Sequence, residues 1–133
     1  MSGRPRPRAR SERGSAVVDF VMILVVLLPM FAALFQLSLV LHVRNTLSSA
    51  AAEGARRAAV AGATMADGKA KAAEQIVGSL NERYARDIDI RPATIGGAQA
   101  YEVVITAEVP ALGIGGPAIA IEVSGNAIIE SSP

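Results

Sequence analysis

Residues 13–31 read RGSAVVDFVMILVVLLPMF and open the longest uncharged run in the chain, which extends from Phe20 to Leu41. At a rise of about 1.5 Å per residue, a helix over this run reaches about 33 Å, enough to cross a hydrocarbon core of about 30 Å. The run is apolar on all sides, which disfavours a buried core helix with one polar face. It is also longer than the apolar core of about 7–15 residues in a cleaved secretory signal. The sequence therefore predicts one membrane-spanning helix.

The charges flanking this run are distributed unevenly. Five arginines and one glutamate precede it in residues 1–14, whereas the whole 133-residue chain has a net charge of only +1. Because basic flanks tend to stay in the cytoplasm, we expect the N-terminus inside and residues 42–133 exported. A basic tail can also bind nucleic acid or acidic lipid. This one has no aromatic side chains and topology already explains its charge, so we predict no nucleic-acid partner.

The residue types needed for most catalytic sites are missing or solitary. The chain has no cysteine, and its one histidine, His42, follows the apolar run. Metal centres and nucleophile–base pairs need several such groups together. No glycine loop that would cradle a phosphate and no G-x-S-x-G motif occurs. We therefore expect a non-enzymatic protein with no cofactor, metal or small-molecule substrate.

Small residues recur at helical spacing directly after the apolar run. A helix is predicted over residues 43–62, in which Ala50, Gly54, Ala58 and Gly62 lie four residues apart. Such spacing lets another helix approach closely, so these four residues are predicted to form a helix-packing site. The alternative is a helix that is rich in alanine only because alanine is the best helix former.

The rest of the chain predicts a second helix and a small antiparallel sheet. Helical periodicity spans about residues 67–86, with an N-cap at Thr64 or Asp67. Its apolar stripe is predicted to comprise Ala73, Val77, Leu80 and Tyr84, with Ile76 beside it. Alternating residues predict strands over 101–109 and 119–124, joined by a loop from Pro110 to Pro117. A further strand is predicted over 88–95, at an edge because of Pro92.

The predicted fold class is α+β. It consists of one N-terminal transmembrane helix that continues into an exported helix, a second helix and then a small antiparallel sheet, an order that resembles that of pilins. The predicted domains are a basic cytoplasmic leader (1–14), a transmembrane helix (15–41) and an exported α+β domain (42–133).

The start of the apolar run resembles the processing signal of type IV pilins and pseudopilins. In that family a membrane aspartyl peptidase cuts after a glycine, and an acidic residue follows five positions later. The resemblance implies cleavage after Gly14, a new N-terminus at Ser15, Asp19 as the acidic position and Phe20 as the aromatic that often follows it in the Flp branch. Asp19 departs from the usual glutamate by one methylene.

Asp19 would be costly to place at the edge of the membrane without a partner. After cleavage, the α-amine of Ser15 or that of a neighbouring subunit could neutralise it, which the pilin resemblance favours. The alternative is that Asp19 only lies at the interface or begins the helix.

A second pattern resembles TadE-like proteins, the minor pilins or pseudopilins of tight-adherence (Tad/Flp) pilus systems. Their membrane helix is followed by a motif close to R-x-x-L-x-x-A-A-x-x-G-A-R. The matching residues here are Arg44, Leu47, Ala50, Ala51, Gly54, Ala55 and Arg56. The two resemblances together cover about residues 13–62.

These resemblances imply a structural minor pilin or pseudopilin that takes part in pilus assembly and adhesion. The implied partners are membrane lipid, a prepilin peptidase, other pilins or pseudopilins and the Tad secretion machinery. The implied location is the cytoplasmic membrane, crossed once, or a surface pilus. Two alternatives remain open: an uncleaved single-pass anchor whose exported domain binds or regulates another envelope complex, and a membrane-tethered enzyme.

Overall fold

A computed structural model of the protein describes residues 9–113 and 115–130, with side chains described from Gly14 onward. Its main elements are α1 (Ala9–Ala59), α2 (Met65–Ser79), β1 (Asp87–Ile95), β2 (Ala98–Pro110) and β3 (Ala118–Ile128). Two short 3-10 helices, Glu82–Ala85 and Ala111–Gly113, connect them. The order of a long apolar helix, a second helix and a three-stranded antiparallel sheet confirms the predicted α+β class.

The chain divides into two compact units between Phe35 and Gln36. In the first unit, the side chains from Gly14 to Phe35 are exposed except for half-buried Ala32. The α1 helix runs through this unit without interruption at Pro29. It is the one helix in the described part of the chain that is long and apolar enough to cross a membrane. The second unit begins at Gln36, a few residues before the predicted domain boundary at 42.

Within the second unit, α1 buries one face. Its buried residues follow helical spacing and are Val43, Leu47, Ala50, Ala51, Gly54, Ala55, Ala58 and Ala59. Because most are alanine or glycine, the backbone of α1 lies close to the elements that cover it. The helix ends at Ala59, so its predicted continuation to residue 62 is wrong. Gly62 has a φ of +82°, a conformation that glycine adopts without steric cost and that lies outside the helix.

The second helix begins with a capping box. The hydroxyl of Thr64 accepts a hydrogen bond from the Asp67 amide at 3.2 Å, and the Asp67 carboxylate accepts one from the Thr64 amide at 2.8 Å. These two bonds satisfy amides that a helix leaves unpaired at its start. The predicted N-cap is therefore confirmed at Thr64.

The second helix is shorter than predicted and faces the core differently. It ends at Ser79, because Leu80 is extended and Asn81 begins a separate 3-10 helix by accepting a hydrogen bond from the Arg83 amide. The face that α2 buries comprises Gly68, Ala72 and Ile76. Val77, which was predicted to belong to the apolar stripe, is 52% exposed.

The three strands form a sheet in the order β1-β2-β3, and both pairs are antiparallel. A two-residue turn, Gly96–Gly97, joins β1 to β2, and both glycines have positive φ. This is the backbone that a tight hairpin requires. Because Ile95 pairs with Ala98 beside the turn, alternation along β1 directs the backbone nitrogen of Pro92 toward the free edge. Pro92 therefore costs no bond inside the sheet, and its predicted place on an edge strand is confirmed.

The two faces of the sheet differ in polarity. Its inner face carries buried apolar side chains, namely Ile88, Val103, Ile105, Ala107, Val109, Ile121 and Val123. Its outer face carries Asp87, Asp89, Arg91, Glu102, Glu108 and Glu122. The alternation predicted for the last two strands thus places one face in the core and the other in solvent.

The third strand follows the second-unit part of α1 in the same direction. Contacts occur at both ends and in the middle, and they join Leu112 to Gln36, Gly113 to Leu39, Gly125 to Ala52, and Glu130 to Ala59. The loop before β3 therefore lies beside residues 36–39 of α1, and the end of β3 lies beside the end of α1.

Candidate processing and helix-packing sites

The four residues predicted for processing lie together on α1. Gly14, Ser15, Asp19 and Phe20 are all exposed, and Phe20 is 64% exposed. Ser15 and Asp19 are four residues apart in one helix, so they lie on the same face. A side chain added at Gly14 would meet no atom within 4 Å. Among the described residues, packing therefore does not require a glycine at position 14.

The peptide bond after Gly14 lies inside α1, which begins at Ala9. A helical peptide bond is held by the hydrogen bonds of its turn, so any cut there requires this end of the helix to unwind. A glycine inside a helix costs about 1 kcal/mol relative to alanine. Gly14 therefore lowers the cost of opening the helix at the position where the resemblance puts the cut.

Two of the four predicted packing residues, Gly54 and Ala58, lie against α2 of the same chain, and a third, Ala50, is buried in the core. Ala50, Gly54 and Ala58, which we call the small-residue seam, are buried. A Cβ atom added to Gly54 would lie 2.8 Å from the Gly68 carbonyl oxygen and 2.9 Å from the Ala72 Cβ. A Cβ atom added to Gly68 would lie 2.7 Å from the Ala58 Cβ. The two helices therefore cross at backbone contact, and the seam belongs to the core of the second unit.

Gly62 does not join the small-residue seam. It lies in the turn after α1, is exposed, and has no atom within 4 Å of an added Cβ. Its four-residue spacing from Ala58 has no structural meaning, because the helix has already ended.

Two further glycines that the fold requires were not predicted from the sequence. Gly68 is the α2 partner of Gly54, and Gly125 of β3 lies against the α1 backbone at Ala51 and Ala52. An isolated glycine inside a helix or strand pattern often marks such a close approach. That signal was present in the sequence for both positions.

A hydrogen bond between the loop before β3 and α1 was also not predicted from the sequence. The Gln36 Oε1 atom accepts a hydrogen bond from the Leu112 amide at 2.6 Å. The Gln36 Nε2 atom is buried and has no hydrogen-bond partner among the described residues. Gln36 lies within the uncharged run, where its polar side chain had no assigned role.

Two ionisable groups outside the apolar run, Asp67 and Arg91, have shifted pKa values. Hydrogen bonds from the backbone and then the side chain of Thr64 lower the pKa of Asp67. On the outer face of the sheet, the Arg91 Nε atom donates to a Glu102 carboxylate oxygen at 2.8 Å, and this bond raises the pKa of Arg91. Because this pair is exposed to solvent, it contributes little to stability. Across the described residues, no three acids or histidines are grouped as metal ligands would be.

Comparison with known proteins bears on the first part of α1. Residues 14–56 match the TadE-like protein family. This confirms the predicted TadE-like resemblance for this segment, which we call the TadE-like region. It begins at the glycine of the predicted processing signal and ends at Arg56, the last residue of the predicted motif. No curated protein and no solved structure gave a match.

The TadE-like region lies entirely within α1. It contains the exposed apolar part of that helix and two of the three residues of the small-residue seam, Ala50 and Gly54. The second helix and the sheet lie outside it. The match therefore bears on the apolar part of α1 and its continuation, and on no other element of the fold.

Proposed function

We propose that this protein is a non-enzymatic minor pilin or pseudopilin of a tight-adherence pilus system, anchored once in the cytoplasmic membrane. The observation that carries the proposal is the coincidence of the TadE-like region with a helix whose first part is exposed and apolar. The second part of that helix is the support on which α2 and the sheet pack. An anchored helix that carries a compact head suits a subunit that assembles with others along its helix.

The arginine-rich flank supports an orientation with the N-terminus in the cytoplasm and residues 42–133 on the far side. Reporter fusions after Pro133 test this directly. A reporter that works only outside the cytoplasm should be active, and a matched cytoplasmic reporter should be silent. The reverse pattern would overturn the proposed orientation.

Processing by a prepilin peptidase is the second part of the proposal. Gly14 is exposed, weakens the helix and is followed by an acidic residue at the expected distance. Cleavage would place the α-amine of Ser15 on the face of α1 that holds Asp19. Partner pilins, the secretion machinery and a role in adhesion are proposed on the family resemblance.

N-terminal sequencing and intact-mass measurement of the protein from its native membranes test the processing step. The proposal expects a mature chain that begins at Ser15. Gly14→Val should leave the precursor uncut, because a branched side chain would obstruct the peptidase at the cut. Ala16→Val, a matched change beyond the cut, should still be processed. Equal processing of Gly14→Val and the native chain would contradict the proposed signal and favour an uncleaved anchor.

A further inference from the structure

We infer that the loop between β2 and β3 is a second membrane-contacting element, which rests on the lipid surface beside the end of the spanning helix. The inference rests on the proposed membrane anchoring of α1. It adds an interaction surface, residues 111–113 and 115–117 of the loop together with residues 118–120 at the start of β3, whose partner is the bilayer itself.

The position of this loop is fixed by contacts inside the second unit. The Leu112 amide donates to Gln36 Oε1 at 2.6 Å, and a Cβ atom added to Gly113 would lie 3.6 Å from Leu39 Cδ2. Gln36 and Leu39 both belong to the uncharged run that ends at Leu41. The loop therefore lies level with the last turns of the apolar segment. If that segment spans a bilayer, the loop lies at the membrane surface.

The composition of the loop suits this position. No charged residue occurs between Glu108 and Glu122. Leu112 is 43% exposed and Ile119 is 46% exposed, and residues 115–120 are all exposed. An exposed apolar surface that continues the apolar surface of a membrane helix is the kind of surface that lipid covers.

The backbone at Leu112 gives an independent reason. Its φ is +52° and its ψ is +17°, a left-handed conformation that favours glycine, asparagine and aspartate and disfavours leucine. Strained positions of this kind often mark functional sites. The side chain of Leu112 is also exposed, so core packing does not explain its presence. Contact with lipid explains an exposed leucine at this position.

Gln36 holds the loop at this level. Near hydrocarbon, an unpaired backbone amide is costly. The side-chain oxygen of Gln36 accepts a hydrogen bond from the Leu112 amide and so removes this cost. A polar side chain inside an apolar helix thereby has a role, which is to fix the loop against the helix where the helix leaves the membrane.

The inference also changes where the span begins. If the bilayer surface on the far side lies near Gln36, about 20 residues of helix fill the hydrocarbon core before it. That places the other surface near residue 16 and Asp19 inside the hydrocarbon boundary. The carboxylate then needs a partner more than it would if the span ended at Leu41.

Fluorescence quenching in lipid vesicles tests the inference on the full-length chain. Because the chain has no cysteine, single substitutions allow one environment-sensitive dye to be attached at Leu112→Cys, Leu24→Cys or Thr94→Cys. Leu24 lies in the apolar part of α1, and exposed Thr94 lies beside the hairpin at the opposite end of the sheet. The vesicles contain phosphatidylcholine and phosphatidylglycerol, with a lipid that carries a quencher, in separate samples, near the top of its acyl chain to reach the loop or near the end of that chain to reach Leu24.

We expect the lipid quencher to reduce emission at Leu112 and Leu24 and to leave Thr94 unchanged. Quenching at Leu24 together with none at Leu112 would overturn the loop contact and leave the spanning helix intact. An absence of quenching at Leu24 would overturn the membrane anchoring and the loop contact together. Shielding of Leu112 from an aqueous quencher, without quenching by lipid, would indicate a protein contact and would also overturn the inference.

A second measurement separates membrane contact from folding. Leu112→Asn places a residue that tolerates positive φ at this position, so the urea midpoint of unfolding should not fall. With the dye at Ile119→Cys, the same substitution should reduce quenching by the lipid. Unchanged quenching at Ile119 in the Leu112→Asn variant would contradict a role for the Leu112 side chain in binding lipid.

Discussion

Gly125 of β3 lies directly against the backbone of Ala52 in α1, with no space between them for a side chain. A Cβ atom at Gly125 would lie 2.5 Å from the Ala51 carbonyl carbon and 2.6 Å from the Ala52 Cα. Both of these are backbone atoms, which cannot move aside as the end of a flexible side chain can. This contact holds β3, an edge strand of the sheet, against the helix that carries the TadE-like region.

Gly125→Ala should therefore destabilise the second unit. Forcing a methyl group into a closed contact typically costs about 1–3 kcal/mol of unfolding free energy. Urea unfolding of the detergent-solubilised chain measures this cost. The control is Gly78→Ala in α2, where an added Cβ meets nothing within 4 Å. It should be neutral or stabilise the helix by up to about 1 kcal/mol. Equal stability of the two variants would contradict the observed packing.

The small-residue seam gives a second prediction. Gly54→Leu should lower the unfolding free energy of the isolated chain, because a leucine would collide with Gly68 and Ala72 of α2. Arg57→Ala changes an exposed position of the same helix and should alter stability by less than about 0.5 kcal/mol. A Gly54→Leu variant that unfolds like the native chain but no longer co-purifies with partner subunits would instead show that the seam binds a partner.

A third prediction concerns pH. Because hydrogen bonds from Thr64 lower the pKa of Asp67 in the folded chain, ionised Asp67 stabilises the fold. This contribution is complete above the unfolded-state pKa of about 3.9 and is lost as pH falls through the lower folded-state value.

The substitution Asp67→Asn isolates this contribution. Near neutral pH the variant should unfold at a lower urea concentration than the native chain. This difference in urea midpoint should shrink as the pH falls below the pKa of an ordinary carboxyl group. Asp89→Asn, on the outer face of the sheet and without a capping role, serves as the control. If the urea midpoints of Asp67→Asn and the native chain differed by the same amount at every pH, that result would contradict the role of the charge.

The fourth prediction separates processing from assembly at Asp19. If its carboxylate neutralises a terminal amine, Asp19→Asn should be cleaved but assemble poorly, and Asp19→Ala should behave in the same way. Asp19→Glu should assemble at least as well as the native chain, since it restores the usual acidic residue. An unpaired amine at the membrane boundary costs about 2–3 kcal/mol, which corresponds to tens of fold in assembly.

The measurement for Asp19 is the amount of mature protein that co-isolates with pili or partner subunits, relative to its amount in the membrane. Normal assembly of both the Asn and Ala variants would reduce Asp19 to a residue that merely lies at the interface. Failure of cleavage in Asp19→Asn would instead assign the carboxylate to recognition by the peptidase.

The sequence by itself determined the order and type of the elements. The uncharged run from Phe20 to Leu41 predicts a membrane helix because its length matches a bilayer. The alternation around Val103 and Val123 predicts half-buried strands because side chains alternate between the faces of a sheet. An N-cap at Thr64 or Asp67 was also predicted, because capping depends on residues only a few positions apart. These features are local, so neighbouring residues suffice to predict them.

Only the tertiary structure decided which surfaces meet. Four-residue spacing shows that Gly54 can admit a close neighbour, but it cannot say whether the neighbour is α2 or another subunit. Val77 fits an apolar stripe yet is exposed, because α2 turns Gly68 and Ala72 toward α1 instead. Gln36 and Leu112 are far apart in sequence, and no local pattern predicts their hydrogen bond. Such pairings depend on how the whole chain fills its core, since that packing selects one set of contacts among the many that local periodicity allows.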